Sequence, residues 1–179
     1  RIGSTYPLNP GVNLGRIGSV VWSAQLYYRQ HVGKSFPFSE PQEVVLDVGR
    51  RNDFVMEAVR PGLGIALAFV DDQLYDPQVG LIWDGRAFAR WENDQVVEGT
   101  IVVPALGLNA IVENWSLALA IVAHEVGHAF GLQDRTTGKG LMNNLINAST
   151  AQKRLDEGFL DWELYKLRDA PYATRFLCV

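Results

Sequence analysis

Apolar positions recur along the chain with two different periods, and the period divides it into helices and strands. Val20, Val21, Ala24, Tyr27, Tyr28 and Val32 fall at helical spacing, which predicts an amphipathic helix over 19–32, capped by Ser19 and ended at Gly33. Residues 44–48 are rich in β-branched side chains and predict a strand, and 53–60 predict one or two helical turns stopped by Pro61-Gly62. A short apolar run at 64–70, bounded by turn signals, predicts a central strand. The clearest β signal follows. Residues 79–83 and 86–91 flank Asp84-Gly85, a type I′ candidate that predicts a hairpin, and Asn93-Asp94 then leads into a third strand over 95–103. Gly99 within that strand implies a bulge or a close backbone approach, and Pro104 stops the pairing. Residues 1–15, rich in Gly, Pro, Asn and Ser, predict an irregular or short edge segment.

One helix differs from the rest. Over 115–130, Leu117, Ala118, Leu119, Ala120, Ile121, Val122, Ala123, Val126, Ala129 and Phe130 leave almost no polar side. A helix apolar all round is a buried one. Asn114 stands as its N-cap and Gly131 as the residue past its end. Its ionisable groups are His124, Glu125 and His128, and three such groups are costly to bury without a partner. A last helical region opens at Ser149-Thr150-Ala151-Gln152, a capping-box pattern, and carries Leu155, Phe159, Leu160, Trp162, Leu164 and Leu167, with Gly158 placed to kink or divide it.

Composition narrows the chemistry. With 179 residues the chain suits a single domain, 1–179, able to bury a core without disulfides. It has no apolar run of membrane-spanning length. A net charge of −4 and no Lys/Arg-dense stripe exclude nucleic acid or an anionic membrane as the main partner and favour a small-molecule, peptide or protein substrate. Cys178 is the only cysteine, so any metal must use His and carboxylate ligands. His31, the third histidine, sits in the last turn of its own helix, where a structural or surface role is expected. Asp71, Asp72 and Asp76 are expected in a solvated loop rather than at calcium. The start at Arg1 is expected of a trimmed or processed chain and suits an exported enzyme; a monomer is expected.

His124 and His128 are one helical turn apart, so both imidazoles reach one point, and Zn²⁺ suits neutral imidazole there. Glu125 is displaced by about 100° around the axis, beyond ligand reach but near enough to take a proton from a metal-activated water. A third ligand is required. Asp134, six residues after His128, is the first carboxylate that can fold back once Gly131 has turned the chain.

Written out, His124-Glu125-x-x-His128-x-x-Gly131-x-x-Asp134 resembles the extended zinc motif of the metzincin metallopeptidases, in the snapalysin-type variant with Asp in place of a third His. Gly140-Leu141-Met142-Asn143 resembles the Met-turn of that clan, whose methionine floors the metal site. The resemblance implies a zinc endopeptidase with ligands His124, His128 and Asp134 and base Glu125. It also implies that Gly99, Thr100, Ile101, Val102 and Val103 form the edge strand that pairs with an extended substrate. The implied fold is α/β (α+β): a small twisted mixed sheet over the active-site helix in an upper subdomain, about 1–131, and a small helical lower subdomain, about 132–179. Asn144 departs from the family, many members having a Tyr there, and neither Tyr165 nor Tyr172 can be assigned its role. Two alternatives stand beside this. Glu157-x-x-x-Asp161 resembles the gluzincin arrangement, with Glu157 as third ligand, though Gly131 and Asp134 are then unexplained. A catalytically silent binding domain on the same fold is the other, and the intact Glu125 argues against it.

Overall fold

The computed structural model describes residues 8–34, 38–39, 43, 61, 64–76, 81–83, 85–93, 95–169 and 176–178. The strand at 44–48 and the helical turns at 53–60 lie outside them. The chain is a mixed α+β protein. Strands β1 (Gly64–Phe69), β4 (Arg86–Glu92), β5 (Gln95–Val103) and β6 (Phe176–Cys178) form a mixed sheet in the order β4-β5-β1-β6, while β2 (Leu74–Asp76) and β3 (Leu81–Trp83) make a separate two-stranded ribbon. β1 has parallel neighbours on both sides, Leu67 lying opposite Ile101 and Cys178. Its consecutive residues 64–68 are all buried, which explains its unbroken apolar run, since a strand covered on both faces has no polar alternation to show.

One β expectation needs correction, and another is narrowed to one of its two alternatives. The Asp84-Gly85 hairpin is replaced by another pairing: β3 runs antiparallel to β2, not to β4. Gly85 also lacks the positive φ that a type I′ turn needs at both central positions. Between β4 and β5, by contrast, Glu92 faces Gln95 across Asn93-Asp94, and Asn93 has φ 50°. The register shifts between Arg90 and Trp91, leaving Val97 as the extra residue, so the bulge is not at Gly99. Gly99 serves a close approach instead: a Cβ there would lie 3.0 Å from Ile65 Cγ1 and 3.5 Å from Ala129 Cβ.

Five helices are described: α1 (Leu14–His31), α2 (Ala105–Glu113), α3 (Trp115–Ala129), α4 (Ala151–Glu157) and α5 (Asp161–Asp169). α1 begins at Leu14 rather than near Ser19 because the Asn13 side chain accepts the Arg16 N–H, whereas the Ser19 hydroxyl donates back to the Gly15 carbonyl inside the helix. Past Pro104, where no element is expected, α2 buries Leu108 and Ile111, three residues apart. The capping box expected at α4 does not form, its N-cap residue Thr150 making no side-chain cap bond. The Asn147 carboxamide accepts the Ser149 and Thr150 N–H groups and the Thr150 hydroxyl accepts the Asn147 N–H, while Gln152 takes the Ser116 hydroxyl instead of closing a capping box. Gly158, with φ 64°, divides α4 from α5.

α3 is the hub, packed against α1, α2, α4, β4 and β5. Its Ala120, Val122, Ala123, Val126 and Ala129 are at most 1 % exposed. A fully buried Val contributes about 1.5–3 kcal/mol. β6 returns to pair with β1, so residues 176–178 belong to the sheet and not to a lower subdomain over 132–179. Asp72 is likewise buried rather than solvated, its carboxylate accepting the Gln73 N–H.

Candidate metal centre

α3 carries two of the three ligand candidates. Its first turn is fixed by Asn114, whose side chain accepts the Leu117 N–H at 3.0 Å. Its last turn closes on Gly131 at φ 82°: the Gly131 N–H donates to the His128 carbonyl and the Leu132 N–H to the Gly127 carbonyl, the paired bonds of a Schellman turn. The chain therefore reverses directly under the imidazoles. It brings Asp134 back to them.

The resulting cluster is close. His124 Nε2 and His128 Nε2 are 3.0 Å apart, and Asp134 Oδ1 lies 3.1 Å from the first and 3.4 Å from the second. Each ring is also held from behind. His124 Nδ1 donates to the Leu141 carbonyl at 2.9 Å and His128 Nδ1 to the Leu132 carbonyl at 2.8 Å, the assignment that the carbonyl acceptors require. With both protons on Nδ1, both Nε2 lone pairs point at one spot beside a carboxylate, an arrangement that repels itself unless a positive charge lies among them. A metal ion is one positive charge that this donor set could hold. Three donors around a tetrahedral zinc are separated by about 3.3 Å, near the 3.0–3.4 Å found here. His124, His128 and Asp134 are thus a group able to hold a metal ion.

The electrostatics follow. When their Nε2 atoms are protonated, hydrogen bonds from His124 and His128 hold the Asp134 carboxyl well below the usual carboxylate range. Burial pulls His128 down, but the Asp134 hydrogen bond, the Glu125 charge and the Leu132 carbonyl more than reverse that. Glu125 is displaced upward by burial, with His124 and His128 opposing. It sits against Gly85: a Cβ there would lie 2.6 Å from Glu125 Oε1, so the bare backbone of Gly85 makes room for the carboxylate. The glycine that the sequence suggests for a turn is there for this contact.

In front lies a cleft of about 510 Å³, walled by Arg86 and Ala87 of β4, Ile121 of α3, and Leu132, Asn144 and Ile146 of the following loop. The expectation for Gly99, Thr100, Ile101, Val102 and Val103 as an edge strand is corrected here. β5 is an interior strand, hydrogen-bonded to β1 on one side and β4 on the other, and these residues are buried. β4 stands at the edge of the described sheet and faces the cleft.

Met142 is fully buried beneath α3, and a Cβ on Gly127 would lie 2.6 Å from its Sδ. The Asn143 N–H donates to the Gly140 carbonyl, closing a 1,4-turn over Leu141 and Met142. Gly127, between the two histidines, is the sequence signal for this floor. Glu157 is elsewhere engaged, accepting the Gly140 N–H at 2.8 Å and Arg154 Nη1 at 3.1 Å, which removes it as third ligand. Those bonds, chiefly that from Gly140, hold its carboxyl below the usual range. His31 stacks on Tyr27 with ring centroids 4.2 Å apart, away from the cluster. Tyr165 is exposed on α5, and Tyr172 lies outside the described residues. Sequence reasoning missed the two orienting carbonyls, which belong to backbone and leave no trace in residue type. No family model matches the chain, and comparisons with curated proteins and with solved structures give no match.

Proposed function

We propose that this chain is a zinc-dependent endopeptidase of the metzincin type, in its snapalysin-like variant, acting on peptide or protein substrates. The observation that carries the reading is the convergence of His124, His128 and Asp134 at a cleft floor, next to the buried carboxylate of Glu125. Those three residues would hold the ion. When bound, zinc acidifies a water molecule and polarises a peptide carbonyl.

The side chains do the rest. Glu125, rigidly placed one residue after His124, takes the proton of the attacking water and returns it to the leaving amine. Its upward displacement by burial suits both halves of that exchange, because a base that is too acidic would not accept the proton. The Leu141 and Leu132 carbonyls keep the imidazoles in the ligating tautomer. Asp134 leaves the centre one unit less positive than a third histidine would, which moderates water acidification. β4 forms the wall along which a peptide would lie.

The test is cleavage of a peptide library with and without a chelator, together with bound-metal analysis of the parent and Glu125→Ala. Cleavage that stops with chelator and returns with zinc, and a variant that keeps zinc but does not cut, are expected. Cleavage persisting in Glu125→Ala would sink the mechanism. A parent that binds zinc and cuts nothing would favour a silent binding domain.

A further inference from the structure

The two histidines are oriented by carbonyls behind them, but Asp134 has no such support: its carboxylate is 52 % exposed, and its partners among the described residues are the imidazoles themselves. Its placement must come from the backbone that carries it. The next residue, Arg135, is unusually constrained. Its N–H donates to the Met142 carbonyl at 2.8 Å, its carbonyl accepts the Asn144 N–H at 3.0 Å, and its guanidinium Nε donates to Glu163 Oε1 at 2.8 Å. Glu163 is fully buried, and its other oxygen accepts the Leu160 N–H at 2.7 Å ahead of α5. Among the described residues Arg135 Nη2 is buried with no hydrogen-bond partner, and Glu163 is the carboxylate that balances this cation. Gly140 makes room for it, since a Cβ there would lie 2.8 Å from Nη2.

We propose that Arg135 and Glu163 are positioning residues for the metal centre: their buried ion pair anchors the loop to α5 and thereby aims the Asp134 carboxylate at the imidazoles. This rests on the metal reading above. A buried pair replaced as a unit is often neutral for stability, whereas one orphaned partner is not, so both residues are changed together. Zn²⁺ affinity is measured by competition with a chelating dye for the parent, R135M/E163Q, D134A and the triple variant, alongside metal-free thermal melts.

The pair variant should melt close to the parent yet bind zinc about 10–100-fold more weakly, the usual cost of losing an orienting partner. In the D134A background the same change should cost nothing further, because the pair acts through Asp134. Arg135→Lys keeps the charge but loses the planar fork, and should fall between parent and pair variant. If R135M/E163Q does not fold, R135K carries the decision: a zinc affinity equal to the parent's overturns the proposal. Parent-like affinity in a folded pair variant, or losses that add to that of D134A, would also overturn it while leaving the metal centre intact. A parent that binds no zinc would remove the metal reading itself, and this inference with it.

Discussion

The candidate metal centre is assembled from two unlike regions, a buried helix and an exposed loop. His124 and His128 ride on α3, which packs against helices on several sides and against the sheet, and each ring has a carbonyl behind it. Asp134 rides on the loop after Gly131, half exposed, next to Arg135, whose contacts reach Met142 in the turn and Glu163 on α5. A helix sets ligand geometry by its own periodicity, whereas a loop borrows its geometry from distant parts of the chain. The two halves should therefore fail in different ways.

The largest effect is expected on the helix. Glu125→Gln removes the proton acceptor without changing shape, and kcat/KM for peptide cleavage should drop by about 10²–10⁴-fold while zinc content stays at the parent level. Loss of both together would mean that Glu125 holds the metal rather than the proton.

Relocating ligands sharpens the contrast. His128→Ala should weaken zinc binding beyond the roughly 10–100-fold typical of an outer partner, and adding Ala129→His should restore nothing, because one residue turns the side chain by about 100°. On the loop, Asp134→Ala should also exceed that range, but Asp134→His should recover much of the loss, since the loop supplies the reach. Equal recovery at both places would erase the distinction between the halves.

The junction comes next. Gly131→Ala puts a side chain at φ 82° and drives its Cβ into the Trp91 ring, for a destabilisation of roughly 1–3 kcal/mol visible as a lowered melting temperature. An unchanged melt would show that the turn under the imidazoles is not under constraint. Smallest is the far end of the helix, where Asn114→Ala removes the cap bond to Leu117 and should cost about 1 kcal/mol with zinc affinity unaltered. A weaker affinity there would mean that the helix transmits end fraying to its ligands.

The same contrast explains what the sequence made legible. α3, its cap at Asn114, its end at Gly131 and the convergence of His124, His128 and Asp134 follow from residue spacing, because periodicity and turn chemistry are local. β1 and the Asn93-Asp94 turn were legible for the same reason. What was not legible depends on pairing at a distance. Leu81–Trp83 joins Leu74–Asp76 instead of continuing into β4, and β5 becomes interior because β1 and β4 take both its sides. Nothing in the composition of 99–103 distinguishes an edge from a centre. Gly85 reads locally as a turn residue, whereas its bare backbone admits the Glu125 carboxylate. α2 is hidden because Pro104, which ends the pairing of β5, also precedes a helix without disrupting it. Glu163 carries no local mark of its tie to Arg135, 28 residues earlier.

The central claim is that one zinc ion is held by two helix imidazoles and the loop carboxylate. X-ray absorption at the zinc edge of protein loaded with one equivalent measures this directly. Two imidazole nitrogens and low-atomic-number oxygen donors at about 2.0–2.1 Å, with the spectrum changed by Asp134→Ala and unchanged by Glu157→Ala, are the result predicted. A zinc surrounded by water alone, or a spectrum altered by Glu157→Ala and indifferent to Asp134→Ala, would contradict it.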